Sequence, residues 1–298
     1  MSRVFLLLSV CFFFLENLLG QEQQQSLPSV EQISSKRTNY NLEEIKVRWK
    51  KASLENCVGA PCIYFTCGTS TVSDIEGNSY NTVSIGSQCW LKENLKVSKY
   101  NDGTLIPLDN SGGISGDNTS GGPVTWERTT GARSVHGHNN ANIATYGYLY
   151  NWYAAKGIIT AGNTSYKNIC PTGWHVPTDA EWTIMIQTLD PSQAVNSGNV
   201  LTFTGTQSTT AGNVMKKNDA LWAINTGITN ANGFSALPGG LRYDDGYFDG
   251  IGGYAAFWSV TEVNADDGWN RALYGWTAGL SRFDDEKSYG NSVRCLKD

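Results

Sequence analysis

Apolar residues recur in two patterns along this chain, and each predicts a different element. In "TDAEWTIMIQTLD", Trp182, Met185, Ile186 and Leu189 fall three or four residues apart, the spacing that gathers side chains on one face of a helix. Thr178 and Glu181 precede that stripe as a capping box, in which each side chain satisfies an otherwise unpaired backbone N–H. Pro177 and Trp182 take the positions of a hydrophobic staple. A second helix is predicted over "ATYGYLYNWYAAKG", with Tyr146, Leu149, Tyr150 and Tyr153 on one face and Gly157 as its stop. "LEEIKVRWKKASLEN" predicts a further short helix.

The second pattern is alternation. "DIEGNSYNTVSIGSQCWLKENLKVSKYNDGTLIP" reads as short strands divided by turns at Glu76-Gly77-Asn78, Ile85-Gly86-Ser87 and Asn101-Asp102-Gly103. From Leu108 to Asn142 the chain is rich in Gly, Ser and Asn and predicts a long surface loop. Beyond Gly198 the apolar pieces are short and separated by loops: "GFSALPGGLRY", "YAAFWSVTE", "RALYGWTAGLSRF" and "NSVRCLKD". Helices early and irregular antiparallel strands late predict a loop-rich α+β domain, not alternating βαβ units.

The ends and the charge narrow the class. Arg3, an apolar run over Val4–Leu15 and the small Gly20 form the layout of a secretory signal, and the run falls short of the ~20 residues a spanning helix needs. Residues 1–20 are therefore read as signal peptide, 21–56 as a polar Gln-rich linker and 57–298 as the domain. No later segment is apolar enough to cross a bilayer, which places the chain outside the cell, on its surface or in the periplasm. A net charge of -5 argues against nucleic acid as a partner. Setting Cys11 aside with the signal leaves Cys57, Cys62, Cys67, Cys89, Cys170 and Cys295, an even set that in an exported chain favours disulfides. Cys67 with Cys89 and Cys57 with Cys62 is the preferred pairing among the first four, although sequence leaves other connectivities open.

Six motifs in order carry a family resemblance. "TVSDIEGNSYNTVSIGSQCWLKENLKVSKYNDGTLIP", "YGYLYNWYAA", "CPTGWHVPTDAEW", "GFSALPGGLRYDDGYF", "AFWSVTE" and "SVRCLKD" span roughly Cys67 to Asp298, and together they resemble the Fibrobacter succinogenes major paralogous domain family. The resemblance implies a fold similar to formylglycine-generating enzymes and C-type lectins, and an exported or surface location. It also implies that Cys170, ahead of the capped helix, pairs with Cys295 in the last strand, with Trp174 and Trp182 beside the bridge. His175 is read as a neutral, hydrogen-bonded structural histidine, and a catalytic Cys170–His175 pair is not expected because it would need a free thiolate in an oxidising compartment.

Candidate sites follow from composition and from that resemblance. With 10 Trp and 14 Tyr the chain is aromatic-rich, and rings stack on sugar C–H faces while Asn, Asp and Arg bond hydroxyls. Tyr243, Tyr247, Trp258, Trp269, Asn270, Tyr274 and Trp276 lie in the late half, where this superfold displays its variable face, and form the expected ligand site. Clustered Asp244, Asp245, Asp249, Asp266 and Asp267 make a structural calcium the candidate cofactor, although EF-hand spacing and the lectin Glu-Pro-Asn motif are absent. His136 and His138 are too few to make a metal site by themselves. Formylglycine-generating enzymes bind copper through two cysteines in the late segment, and here Trp269 to Arg294 contains none. The expected function is thus a non-catalytic binding or adhesion module for a glycan or a surface protein. The alternatives are an enzyme related to those oxidases, a hydrolase, or a purely structural envelope protein.

Overall fold

Strand β1 (Thr71–Ser73) pairs antiparallel with β2 (Ser79–Ile85), which turns through Gly86 into β3 (Gln88–Leu91). The alternation read from the sequence appears as alternating burial along β2, with Tyr80, Thr82 and Ile85 turned inward. These belong to a computed structural model that describes residues 65–109, 129–161, 166–192 and 204–298. The predicted leader, linker, early helix and Cys57–Cys62 pair lie outside the described residues. Phe65–Asp298 forms one compact unit.

The first sheet is completed by the two shortest strands. Its order is β1-β2-β3-β13-β6, where β13 (Leu296–Lys297) inserts between β3 and β6 (Trp174–His175). The last strand thus reaches back to the first hairpin, and Arg294 fixes it there. The buried guanidinium donates to Asn94 Oδ1 and to the carbonyl oxygens of Leu91, Phe234 and Ser235. Four acceptors around one buried cation bring three of the family-like motifs to a single point.

The helix predicted over residues 144–157 is broken. Helix α1 (Ala141–Tyr146) ends at Gly147, whose φ of 74° stops it; β5 (Leu149–Tyr150) follows and pairs with β4 (Arg133–Ser134). A Cβ at position 147 would lie 2.4 Å from the Leu95 carbonyl oxygen, so that chain reversal requires glycine. Helix α2 (Trp152–Lys156) then begins at the Asn151 cap, whose Oδ1 accepts from the Ala154 N–H, and ends at Gly157 as expected. The stretch 108–142 is likewise not a continuous loop. Besides β4 it holds a 3-10 turn at His136–His138, where His136 is buried and Nε2 lies 3.2 Å from the Asp249 carbonyl oxygen. The two histidine rings sit against Phe248 with centroids 5.2 and 4.9 Å away.

Helix α3 (Asp179–Leu189) carries the full capping box, and Trp182, Met185 and Ile186 are buried. It lies against a six-stranded sheet of order β7-β12-β11-β10-β8-β9. Its members are β7 (Gly205–Ser208), β8 (Gly239–Arg242), β9 (Phe248–Ile251), β10 (Tyr254–Glu262), β11 (Asp267–Tyr274) and β12 (Leu280–Glu286). Between α3 and this sheet, Trp90, Trp182, Phe234 and Phe257 stack with centroids 4.7–5.9 Å apart. Short helix α4 (Ala211–Met215) closes that core.

Two disulfides join the described cysteines, Cys67–Cys89 and Cys170–Cys295, as expected. Every described cysteine is in a disulfide, so the described thiols are structural.

His175 departs from the neutral reading. Its Nδ1 lies 2.6 Å from Asp298 Oδ1 and its Nε2 3.0 Å from Glu181 Oε1. The Glu181 bond, partly opposed by desolvation and helped by Asp298, holds the imidazole up at about 9, so it is charged at neutral pH. A base raised in the folded state adds stability below the unfolded value near 6.5 and loses it as pH climbs through about 9. The pair is partly solvated, which limits the contribution to about 1 kcal/mol or less. His175→Gln is therefore expected to flatten the decline in thermal midpoint between neutral pH and about pH 10. An unchanged slope in the variant would show that the ion pairs add nothing.

Candidate functional site

Leu241, Tyr254, Ala256 and Ala272 form a third, small apolar cluster, against which Tyr243, Tyr274 and Phe283 pack. Pairing of β10 with β11 sets Tyr254 opposite Tyr274 and Ala256 opposite Ala272. Because side chains alternate along a strand, this places two rings beside two methyl groups on the same face. Beside them Gly250 and Gly253 leave a depression, and the rings of Tyr254 and Tyr274 border it.

The depression is a groove of about 330 Å³ lined by Leu241, Tyr243, Asp249, Gly250, Gly253, Tyr254, Tyr274 and Trp276. Its size is that of a small-molecule site. Tyr254 and Tyr274 stand 5.0 Å apart between centroids, and Tyr274 and Trp276 4.8 Å, so the three rings form one continuous wall. Trp276 is 62% exposed, an unusual state for the largest side chain. Opposite, the β8–β9 hairpin brings up Tyr243 and Asp249, whose Oδ2 accepts from the Tyr243 hydroxyl at 3.4 Å. Gly250 admits Tyr254 to the wall, since a Cβ there would lie 2.7 Å from Tyr254 Cβ.

Two buried charges support this face. Lys216, wholly buried, donates through Nζ to the carbonyl oxygens of Tyr274 at 2.8 Å and Thr277 at 2.6 Å. Those bonds fasten the turn that presents Trp276, and desolvation lowers the ammonium to about 8. Asp285 on β12 accepts from Asn291 Nδ2 at 2.8 Å. Desolvation pushes its carboxyl up to about 6, with Asp284 and Asp267 adding to the rise. Its charge in turn raises Tyr254 and Tyr274, though burial is the larger cause for both.

Of the seven expected ligand residues, Tyr243, Tyr274 and Trp276 come together in the groove. Tyr247 sits on the hairpin turn and does not line it. Trp258 and Asn270 must be corrected: both have 0% exposure, and the Trp258 indole donates to the Tyr150 carbonyl oxygen inside the core. Trp269 is half-buried beneath the Arg282 guanidinium, 3.2 Å from its ring centroid. Tyr254 was missed as a site residue. Alternation over "GGYAAFWSV" places Tyr254 on a face, but cannot say that the face stays open.

The five aspartates divide between two hairpins. Asp245 Oδ1 caps the β8–β9 turn by accepting from the Tyr247 N–H, and Asp249 Oδ1 accepts from the Gly250 N–H. Asp266 and Asp267 belong to the β10–β11 turn, where Asp267 Oδ2 accepts from Asn264 Nδ2. Among the described residues, no three His, Cys, Asp or Glu side chains converge as a metal-ligand set. Beside the second hairpin, buried Lys287 is surrounded by oxygen acceptors. Its ammonium donates at 2.7 Å to Glu262 Oε1 and to the carbonyl oxygens of Asn264 and Ala265.

Fold and groove define a disulfide-bonded mixed helix-and-sheet domain, rich in strands and loops, with an aromatic surface site. The model of the Fibrobacter succinogenes major domain family matches residues 83–297, and the chain belongs to that family. No curated protein and no solved structure matches it. Among the described residues, no helix is long and apolar enough to cross a membrane.

Proposed function

We propose that this domain is an exported, non-catalytic binding module on a C-type-lectin-like scaffold, and that the groove holds a glycan. The observation that carries this reading is the wall of Tyr254, Tyr274 and an exposed Trp276 facing Tyr243 and Asp249. Ring faces stack on the C–H surface of a pyranose, and the phenols and carboxylate accept and donate around its rim. The described thiols are bonded, which leaves the copper–thiol chemistry of formylglycine-generating enzymes without ligands among them.

A glycan array probed with and without EDTA tests the reading and its calcium dependence together. Trp276→Ala should weaken retention on the recognised glycan by about 10-fold or more, while the thermal midpoint moves by only a few degrees, because an exposed ring contributes little to folding. Loss of fold in that variant, or a wild-type protein that retains no glycan, overturns the proposal.

A further inference from the structure

We infer that the groove selects a saccharide bearing a positively charged amino group over its neutral or acidic counterparts. This inference rests on the glycan reading and specifies the class of sugar.

The lining contains one carboxylate, Asp249, and neither lysine, arginine nor histidine. Four of its lining residues are aromatic, Tyr243, Tyr254, Tyr274 and Trp276, and the face of such a ring carries the negative end of its quadrupole and attracts a cation within about 6 Å of the centroid. Behind the rings the charge is again negative. The charges that raise the Tyr243 phenol, after burial, belong to Asp249, Asp285 and Asp245. At Tyr289, whose ring lies 5.4 Å from Tyr243, they belong to Asp244, Asp285 and Glu286.

Two buried cations beside the groove are engaged elsewhere. Arg242 bonds the carbonyl oxygens of Asp109 and Gly246, pairs with the Asp109 carboxylate and stacks on Phe248. Lys216 is held by the Tyr274 and Thr277 carbonyl oxygens. A ligand carboxylate or sulfate would therefore enter without a partner and against several like charges. An ammonium would meet the Asp249 carboxylate in a lining that is otherwise mostly aromatic. Aromatic rings with a single acid form the arrangement that recognises alkylammonium groups.

The test uses the oxidised protein and isothermal titration with four probes: a glucosamine tetramer, the N-acetylglucosamine tetramer, a galacturonate tetramer and tetramethylammonium. The measurement is made close to neutral pH, where the Asp285 carboxyl, held up at about 6, keeps its charge and the glucosamine amines are still partly protonated. The glucosamine tetramer should bind about 10-fold more tightly than its acetylated form, and the galacturonate should not bind. Asp249→Asn, at an exposed position, should bring the two glucosamine-type ligands to near parity, while Trp276→Ala should remove binding of both.

Equal binding of the charged and acetylated tetramers by the wild type would overturn the charge selectivity and leave the glycan reading standing. Preference for galacturonate would overturn it as well. Tetramethylammonium binding as tightly as the glucosamine tetramer would overturn the saccharide component and assign the site to a free ammonium. Absence of binding by all four would overturn the inference, and only a silent glycan array would add the failure of the glycan reading.

Discussion

Replacing Cys170 and Cys295 together by alanine is expected to lower the thermal midpoint by roughly 10 °C or more. The bridge joins positions separated by 125 residues, and in the chain-entropy model closing so long a loop in the unfolded state contributes about 5 kcal/mol. Both cysteines are buried in the core beneath Trp174, so alanine also leaves a small void that adds to the loss. Cys67→Ala with Cys89→Ala provides the comparison. That pair is separated by only 22 residues, and the β2–β3 hairpin persists without it, so its loss should cost less, about 3 kcal/mol by the same model. Calorimetry of the two double variants decides the matter. Equal losses would mean that loop length does not govern the effect.

A comparable loss is expected for Asp179→Ala. This residue opens α3, and its buried carboxylate accepts from Arg271 Nη1 at 2.7 Å and from Arg282 Nε and Nη2 at 2.9 Å each. The two arginines lie on neighbouring strands β11 and β12, directly paired in register, so one carboxylate is shared by two buried guanidinium groups and offsets half of their charge. Removing it leaves both charges without compensation, at a cost of about 3–5 kcal/mol. Burial raises the Asp179 carboxyl, but the combined bonds to Arg282 and Arg271 outweigh it and hold it below its usual range. Acid should therefore weaken the fold at the foot of the titration curve, once this carboxylate is protonated. A second variant tests the pairing itself. Arg271→Met added to Asp179→Ala should recover part of the lost stability, because one unpaired buried charge is removed. A further loss in the double variant would show that Arg271 contributes through packing and not through the pair.

Neither feature was equally visible in the sequence. The Cys170–Cys295 bridge followed from a family resemblance, and the capped helix beside it from local rules alone: Thr178, Glu181 and the Trp182–Ile186 stripe act within one helical turn or two. Asp179 gave no sign of its partners, which lie 92 and 103 residues away. A turn aspartate and a buried ion-paired one look alike until the strands that supply the arginines are in place. The same gap explains the errors in the site. Trp258 and Trp276 are both tryptophans in strand-rich sequence, yet one is wholly buried and the other is the most exposed large apolar side chain among the described residues. The long "YGYLYNWYAA" segment failed differently. Its apolar spacing fits a helix, but Gly147 must pass against the Leu95 carbonyl oxygen, and a tertiary contact splits the element.

The motifs that reveal the family are chiefly those that build the scaffold. Arg294 from "SVRCLKD" bonds the backbone of "GFSALPGG", and Asn151 of "YNWYAA" caps α2 while its Oδ1 also accepts from the Ala132 N–H. They speak for the fold and are silent about the ligand, because buried acceptors must be satisfied in every member that keeps the architecture.

By itself the sequence determined the mixed helix-and-sheet class, the capped helix and its buried stripe, the first hairpin and the supply of cysteines, all of which depend on spacing within a few residues or on composition. Only the tertiary structure decided which rings face solvent, which acids pair with arginines and that Tyr243, Asp249, Tyr254, Tyr274 and Trp276 border one groove. The reason is physical: burial and charge pairing depend on distances between segments remote in the chain, and periodicity within one segment carries no information about what covers its face.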